Sequence, residues 1–158
     1  MNNISHILKR TRFWLEWPAL FVYFGIGSRS RVLIRDGDNI LLVKGSWKRW
    51  YDDDGLGLSG GGIGRRESPV EGAVRELAEE LGIEVPVSAL QSLGTATVWN
   101  YGLGYRGHFF SLQLPQATAL RLQKNEIADA QWVSLATLPA SLVLKPEVHR
   151  ALQLYSDR

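Results

Sequence analysis

Three glutamates, Glu76, Glu79 and Glu80, stand at i, i+3 and i+4 in the run Arg75-Glu76-Leu77-Ala78-Glu79-Glu80-Leu81-Gly82-Ile83. On a helix this spacing puts the carboxylates on one side, about 5–6 Å apart, where like charges repel by a few tenths of a kcal/mol unless a cation lies between them. A hard divalent ion with oxygen ligands is the natural occupant, and magnesium commonly keeps waters and takes phosphate oxygens as well. A lone acidic run is most simply a solvated helix face. This one is not alone, because Gly61 and Glu67 precede it in register, through Gly61-Gly62-Ile63-Gly64-Arg65-Arg66-Glu67 and then Ser68 to Val74.

The helix that carries these residues announces both of its ends. Ser68-Pro69-Val70-Glu71 is a start signal: the Ser68 hydroxyl can cap the Glu71 amide, the Glu71 side chain can reach back, and Pro69 needs no donor there. Gly82 occupies the usual place for a left-handed cap. Val70, Ala73, Val74, Leu77 and Leu81 recur at helical spacing and form an apolar stripe that must face a core. Gly72 lies one turn before Glu76. Glycine inside a helix costs roughly 1 kcal/mol relative to alanine, and close approach of a loop or ligand gives a reason for it.

Together the residues fill the pattern G-x5-E-x7-R-E-U-x-E-E-x-G-U, with U aliphatic, at every specified position. This resembles the signature of the Nudix hydrolases, which cleave the diphosphate bond in compounds that link a nucleoside diphosphate to another group. The resemblance is densest over residues 57–83 and looser from about residue 31 to 139. It implies an α/β fold, the Nudix-type α/β/α sandwich with a mixed sheet, and a metal-activated water as the attacking group. It further implies that the Gly60 carbonyl joins Glu76, Glu79 and Glu80 in holding Mg2+, with Mn2+ as a possible substitute. Arg75 would hold Glu67 and Glu76 in place, so that Glu79, Glu80 and Arg75 count as catalytic while Gly61, Glu67 and Gly82 shape the site. Some members place a further glutamate in a late loop as metal ligand or general base, and Glu126 stands in the segment that looks like that loop. Two positions depart from the common pattern. Ser59 stands where many members have proline, and Arg66 where many have glycine, which alters the backbone preferences of the loop but removes no ligand.

Other motif matches lack their structural context. Gly57-Leu58-Ser59-Gly60-Gly61, followed by Asp129 and His149, fits a serine-hydrolase elbow and triad, but such an elbow needs a helix starting at the serine and here the helix begins at Ser68. Gly55-Leu56-Gly57-Leu58-Ser59-Gly60 and Gly102-Leu103-Gly104-Tyr105-Arg106-Gly107 both fit G-x-G-x-x-G, yet neither opens a helix as a dinucleotide fingerprint must. The absence of cysteine rules out disulfides and thiolate metal sites and is compatible with a cytoplasmic location. His6, His108 and His149 are scattered, which argues against an imidazole cluster. A chain of 158 residues with 45% hydrophobic and 22% charged residues fits one globular catalytic domain.

Periodicity supplies the frame. Arg31 to Arg35 and Ile40 to Val43 read as strands joined by the turn Asp36-Gly37-Asp38-Asn39. Thr95 to Asn100, His108 to Leu114 and Ala130 to Val133 read as further strands, and Pro146 to Leu154 as a closing helix. The catalytic domain is thus expected over residues 31–158, preceded by an apolar helical segment over 1–30.

That leading segment is apolar from Phe13 to Ile26 except for Glu16, contains Pro18 and follows Lys9, Arg10 and Arg12. It is too short for a membrane span, which needs about 20 apolar residues. Packing on the domain or across a homodimer is favoured, with contact to a membrane surface left open. Residues 1–66 hold eleven Lys/Arg against six Asp/Glu, a net of +5, whereas the remainder holds seven against ten, a net of −3. That polarity favours contact with anions of some kind; the resemblance implies a nucleotide-derived small-molecule substrate, and no specific nucleic acid is expected. Trp47, Arg49 and Trp50 could stack a base and meet phosphate. The alternative to hydrolysis is a Nudix-fold module that binds nucleotides without turning them over.

Overall fold

The computed structural model describes residues 27–46, 55–100, 103–139 and 141–158. Most of the N-terminal apolar segment lies outside these residues, as do Trp47, Arg49 and Trp50. Among the described residues one mixed sheet contains β1 (Ser28–Asp36), β2 (Asn39–Gly45), β3 (Gln91–Asn100), β4 (Leu103–Gln113) and β5 (Ile127–Ser134). Their spatial order is β3-β4-β1-β2-β5, with β1 and β4 parallel and the other neighbours antiparallel. Helix α1 (Pro69–Leu81) packs on one face and helix α2 (Pro146–Ser156) on the other. Ser28 to Ser30, grouped by sequence with the leading segment, are the first residues of β1.

Alternation along the strands divides the core into two layers. Val32, Ile34, Leu41, Val43, Phe110 and Leu112 pack with Ala73, Leu77 and Leu81 of α1. Leu33, Ile40, Leu42 and Phe109 pack with Val148 and Ala151 of α2. β1 and β2 are covered on both faces, which is why Val32 to Ile34 and Ile40 to Val43 are unbroken apolar runs. No helix among the described residues is long and apolar enough to cross a membrane.

β1 and β2 form a tight hairpin, with Gly37 at φ 57° in its two-residue turn, and pair through Asp36–Asn39, Arg35–Ile40 and Ile34–Leu41. They then separate, and the glycine loop enters the gap. Val32 N–H donates to the Ser59 carbonyl and Ser30 N–H to the Gly61 carbonyl, both at 3.0 Å. On the other side Val43 and Gly57 exchange bonds of 3.0 and 2.9 Å. The loop thus satisfies strand groups that would otherwise be buried without partners, and it is fixed in the plane of the sheet before it turns into α1.

The strands extend beyond their sequence-predicted limits where glycine interrupts the apolar pattern. β3 begins at Gln91 rather than Thr95, passing a bulge at Gly94 whose φ is 123°. β4 begins at Leu103 rather than His108. Its glycines make room for rings: a Cβ at Gly107 would come within 2.7 Å of Phe109, and one at Gly104 within 3.2 Å of Trp99. The second G-x-G-x-x-G match therefore runs into a strand.

Candidate active site

α1 starts and stops as its sequence dictates. Ser68 N–H donates to Glu71 Oε2 at 2.8 Å and the Glu71 amide donates to Ser68 Oγ at 3.4 Å, completing a capping box with Pro69 in the first turn. At the other end Gly82 is left-handed (φ 68°), its amide bonds Ala78 and the Ile83 amide bonds Leu77, the arrangement that satisfies the last helical carbonyls. Between the caps, Gly72, Glu76 and Glu80 follow one another at four-residue intervals and are buried. A Cβ on Gly72 would lie 3.2 Å from Glu67 Oε2 and 3.6 Å from Ile63, so the glycine admits the incoming loop. A Cβ on Gly61 would fall on the Glu76 carboxylate.

Arg75 organises the outer side of the site. Its Nε donates to Glu67 Oε1 at 3.0 Å, Nη1 to Glu76 Oε1 at 2.9 Å and to Glu79 Oε2 at 3.1 Å, and Nη2 to the Gly62 carbonyl at 2.9 Å. One guanidinium thereby joins the loop to three glutamates, using the fixed fork that suits carboxylates. Glu67 also accepts from the Gly64 amide at 2.8 Å. The Arg75 bond, followed by that amide, holds the Glu67 carboxyl below its usual range.

Glu80 lies on the inner side, 7% exposed. Its Oε2 accepts from Ser59 Oγ at 2.6 Å and from the Gly60 amide at 2.9 Å. Burial nevertheless pushes its carboxyl up to about 6, against the pull of those two bonds and of the Arg31 charge. Burial also raises Glu76, opposed by its bond to Arg75. Ser59, buried against Glu80, is a hydrogen-bond donor to a carboxylate rather than part of a triad with Asp129 and His149.

Glu126 completes the inner cluster from far along the chain. The segment after β4 crosses the end of α1, where the Arg121 amide bonds the Leu81 carbonyl and the Gln123 amide that of Glu80, at 2.8 and 2.9 Å. A turn then delivers Glu126 beside Gly45, with the Ser46 amide bonding the Glu126 carbonyl at 2.8 Å. Glu76, Glu80 and Glu126 each offer a carboxylate oxygen within 4.8 Å of the others. Such an all-oxygen donor set, two of its members buried, suits a hard divalent cation. Glu79 is outside this group, with half of its side chain exposed and turned to Arg75. The Gly60 carbonyl accepts a hydrogen bond from Arg31. In the sequence Arg31 stands out only as the start of a strand, and Ser59 only as a departure from the common pattern and as part of the serine-hydrolase match. The available signals were a charged residue adjoining the short apolar run of β1 and a hydroxyl adjoining the glycine loop.

Comparison with known proteins gives one consistent neighbourhood. The NUDIX domain profile matches residues 27–155. A Nudix hydrolase of Listeria monocytogenes is 32% identical over 99 residues, covering 61% of this chain and 53% of its own, so the chain spans about half the length of that relative. Among solved structures, a MutT NUDIX hydrolase from Burkholderia pseudomallei superposes with a TM-score of 0.67 at 22% identity, over 81% of this chain and 96% of that one. The NUDIX domain of Shewanella oneidensis NrtR, in complex with ADP ribose, gives a TM-score of 0.66 at 19% identity, over 83% and 86%. These two likenesses concern the fold.

Proposed function

The chain belongs to the Nudix hydrolase family, with its NUDIX domain over residues 27–155, and on that premise we propose that it hydrolyses the diphosphate bond of a nucleotide derivative with the help of Mg2+ or Mn2+. The observation that carries the reading is the meeting of Glu126 with Glu76 and Glu80. Three carboxylates from two distant segments, gathered beside a loop of close-packed glycines, are costly to hold together unless a cation offsets their charge.

In this reading Glu76 and Glu80 are the principal metal-holding groups, and Glu126, exposed at the mouth of the cluster, is either a further ligand or the base that accepts a proton from the attacking water. A bound divalent ion would offset charge developing on the diphosphate and lower the pKa of a coordinated water. Arg75 keeps Glu67, Glu76 and Glu79 in fixed orientation, and Glu79 contributes negative charge at the outer rim. Ser59 and the Gly60 amide aim one Glu80 oxygen. Trp47, Arg49 and Trp50 are retained as candidates for base and phosphate contacts, on the strength of their residue types alone.

The test is a panel of nucleoside diphosphate derivatives, ADP-ribose among them, assayed with Mg2+ and with excess chelator. Cleavage should require the cation, and Glu80→Gln should lower turnover by about a hundredfold or more, the scale of losing a principal electrostatic stabiliser. Cleavage that persists in chelator would defeat the metal-dependent reading. Binding of the panel without cleavage would establish the nucleotide-binding alternative.

A further inference from the structure

We infer that Arg31 is a positioning residue for the carboxylate cluster, acting through Gly60 from the opposite face of the sheet; this rests on the metal-binding reading above. β1 sends alternate side chains to the two layers, so while Val32 and Ile34 lie under α1, Arg31 points towards α2. It is only 9% exposed. A guanidinium in the middle of a strand covered on both faces is expensive unless its donors and charge are met.

The surroundings meet the charge and the Nη1 donor, while Nε is buried without a hydrogen-bond partner. Arg31 Nη1 donates to the Gly60 carbonyl. Its guanidinium carbon lies 5.8 Å from the centre of the Tyr105 ring, on which Arg29 also bears at 5.6 Å, within the range of cation–π attraction. Glu147, in the first turn of α2 and 5% exposed, packs against Gly57, and the charges of both Glu147 and Glu80 act on Arg31.

Gly60 is therefore gripped from two sides. Its carbonyl is held by Arg31 on the α2 side, while its amide donates to Glu80 at 2.9 Å on the α1 side, next to the 2.6 Å bond from Ser59. No other residue fits at Gly60, since its φ is 131° and a Cβ would strike the Ser30 carbonyl. Removing Arg31 would leave a buried carbonyl without its donor and release the peptide that aims Glu80. Arg31 touches none of the three clustered carboxylates through a hydrogen bond, so its influence passes through the loop.

The experiment measures Mn2+ binding to the full chain by the electron paramagnetic resonance of the free ion, without substrate, together with the melting temperature of each protein. Arg31→Met should weaken Mn2+ binding about ten- to a hundredfold, the usual effect of losing a partner that orients a metal ligand. Arg31→Lys, which keeps the cation and loses the fork, should fall between Met and wild type. Folded Arg31→Met with wild-type affinity overturns the inference and leaves the metal site standing. Tighter binding by Arg31→Met also overturns it, by making Arg31 a competitor for the Gly60 carbonyl. Where Arg31→Met does not fold, Arg31→Lys decides, and wild-type affinity in that variant overturns the assignment. If the wild-type protein itself binds no Mn2+ while Glu80→Gln behaves identically, the metal reading and this inference fall together.

Discussion

A carboxylate buried as Glu80 is has a measurable consequence for stability. Its folded-state value of about 6 lies above the 4.5 of an unperturbed glutamate, so the folded chain binds this proton more tightly than the unfolded one. The associated stability is fully present below about pH 4.5 and is lost as pH rises through about 6, amounting to about 2 kcal/mol at 1.36 kcal/mol per unit. Melting metal-free wild type and Glu80→Gln in parallel should show the wild type gaining on the variant as pH falls from about 7.5 to 5; curves that stay parallel would contradict burial as the dominant influence. Glu67, shifted down, works in the opposite direction, but it is common to both proteins. Arg75→Ala should lower turnover about ten- to a hundredfold, while its half-solvated ion pairs account for only about 1 kcal/mol of stability. Unchanged kcat in that variant would remove Arg75 from the site. The carboxylates and Arg75 could be read from sequence because their spacing lies along one helix. Glu79 stands about 100° around the helix from Glu80, and its side chain accepts from Arg75. Ser59 and Arg31 were opaque because their partners, Glu80 and Gly60, are brought to them only by the folded loop.

Among the elements, α1 was the most legible, since Ser68, Pro69, Glu71 and Gly82 are local signals that need no tertiary context. Gly82 also gives the sharpest stability test. It holds a left-handed conformation, and a Cβ would approach Arg121 Cβ at 2.9 Å. Gly82→Ala should cost about 1–2 kcal/mol from backbone conformation alone, read as a lower melting temperature, and no change would show that the cap relaxes at little cost. The strands were legible in their centres and not at their ends. In β4 the glycines at 104 and 107 break the apolar alternation because neighbouring rings fill the space a side chain would take. Such rings sit across a strand pair or two residues along, where a one-dimensional pattern gives no sign of them.

At the scale of the molecule, the α/β/α layering was implied by the family resemblance, but the strand order was not legible in the sequence. Nothing local specifies that β1 lies beside β4 and that a loop parts β1 from β2. Glu126 joins the cluster through the same long-range arrangement. A cation bound there would couple α1, the glycine loop and the turn before β5, and so stabilise the fold as a unit. Mg2+ at a hundred times its dissociation constant should add about 2.7 kcal/mol to the unfolding free energy. Thermal melts with and without Mg2+ should show an upward shift for wild type that is absent in Glu80→Gln; equal shifts would locate the effect elsewhere.

The parting of β1 from β2 also turns the backbone into a reporter. The amides of Ser30, Val32 and Val43 are protected by the loop, at Gly61, Ser59 and Gly57, rather than by the neighbouring strand of the hairpin. Deuterium uptake at those three positions would follow excursions of the loop out of the sheet, whereas the amides of the fully apolar strand centres would follow global unfolding. The integrity of the site is thus written into the exchange rates of alternate residues of a core strand, and can be followed in the absence of any substrate.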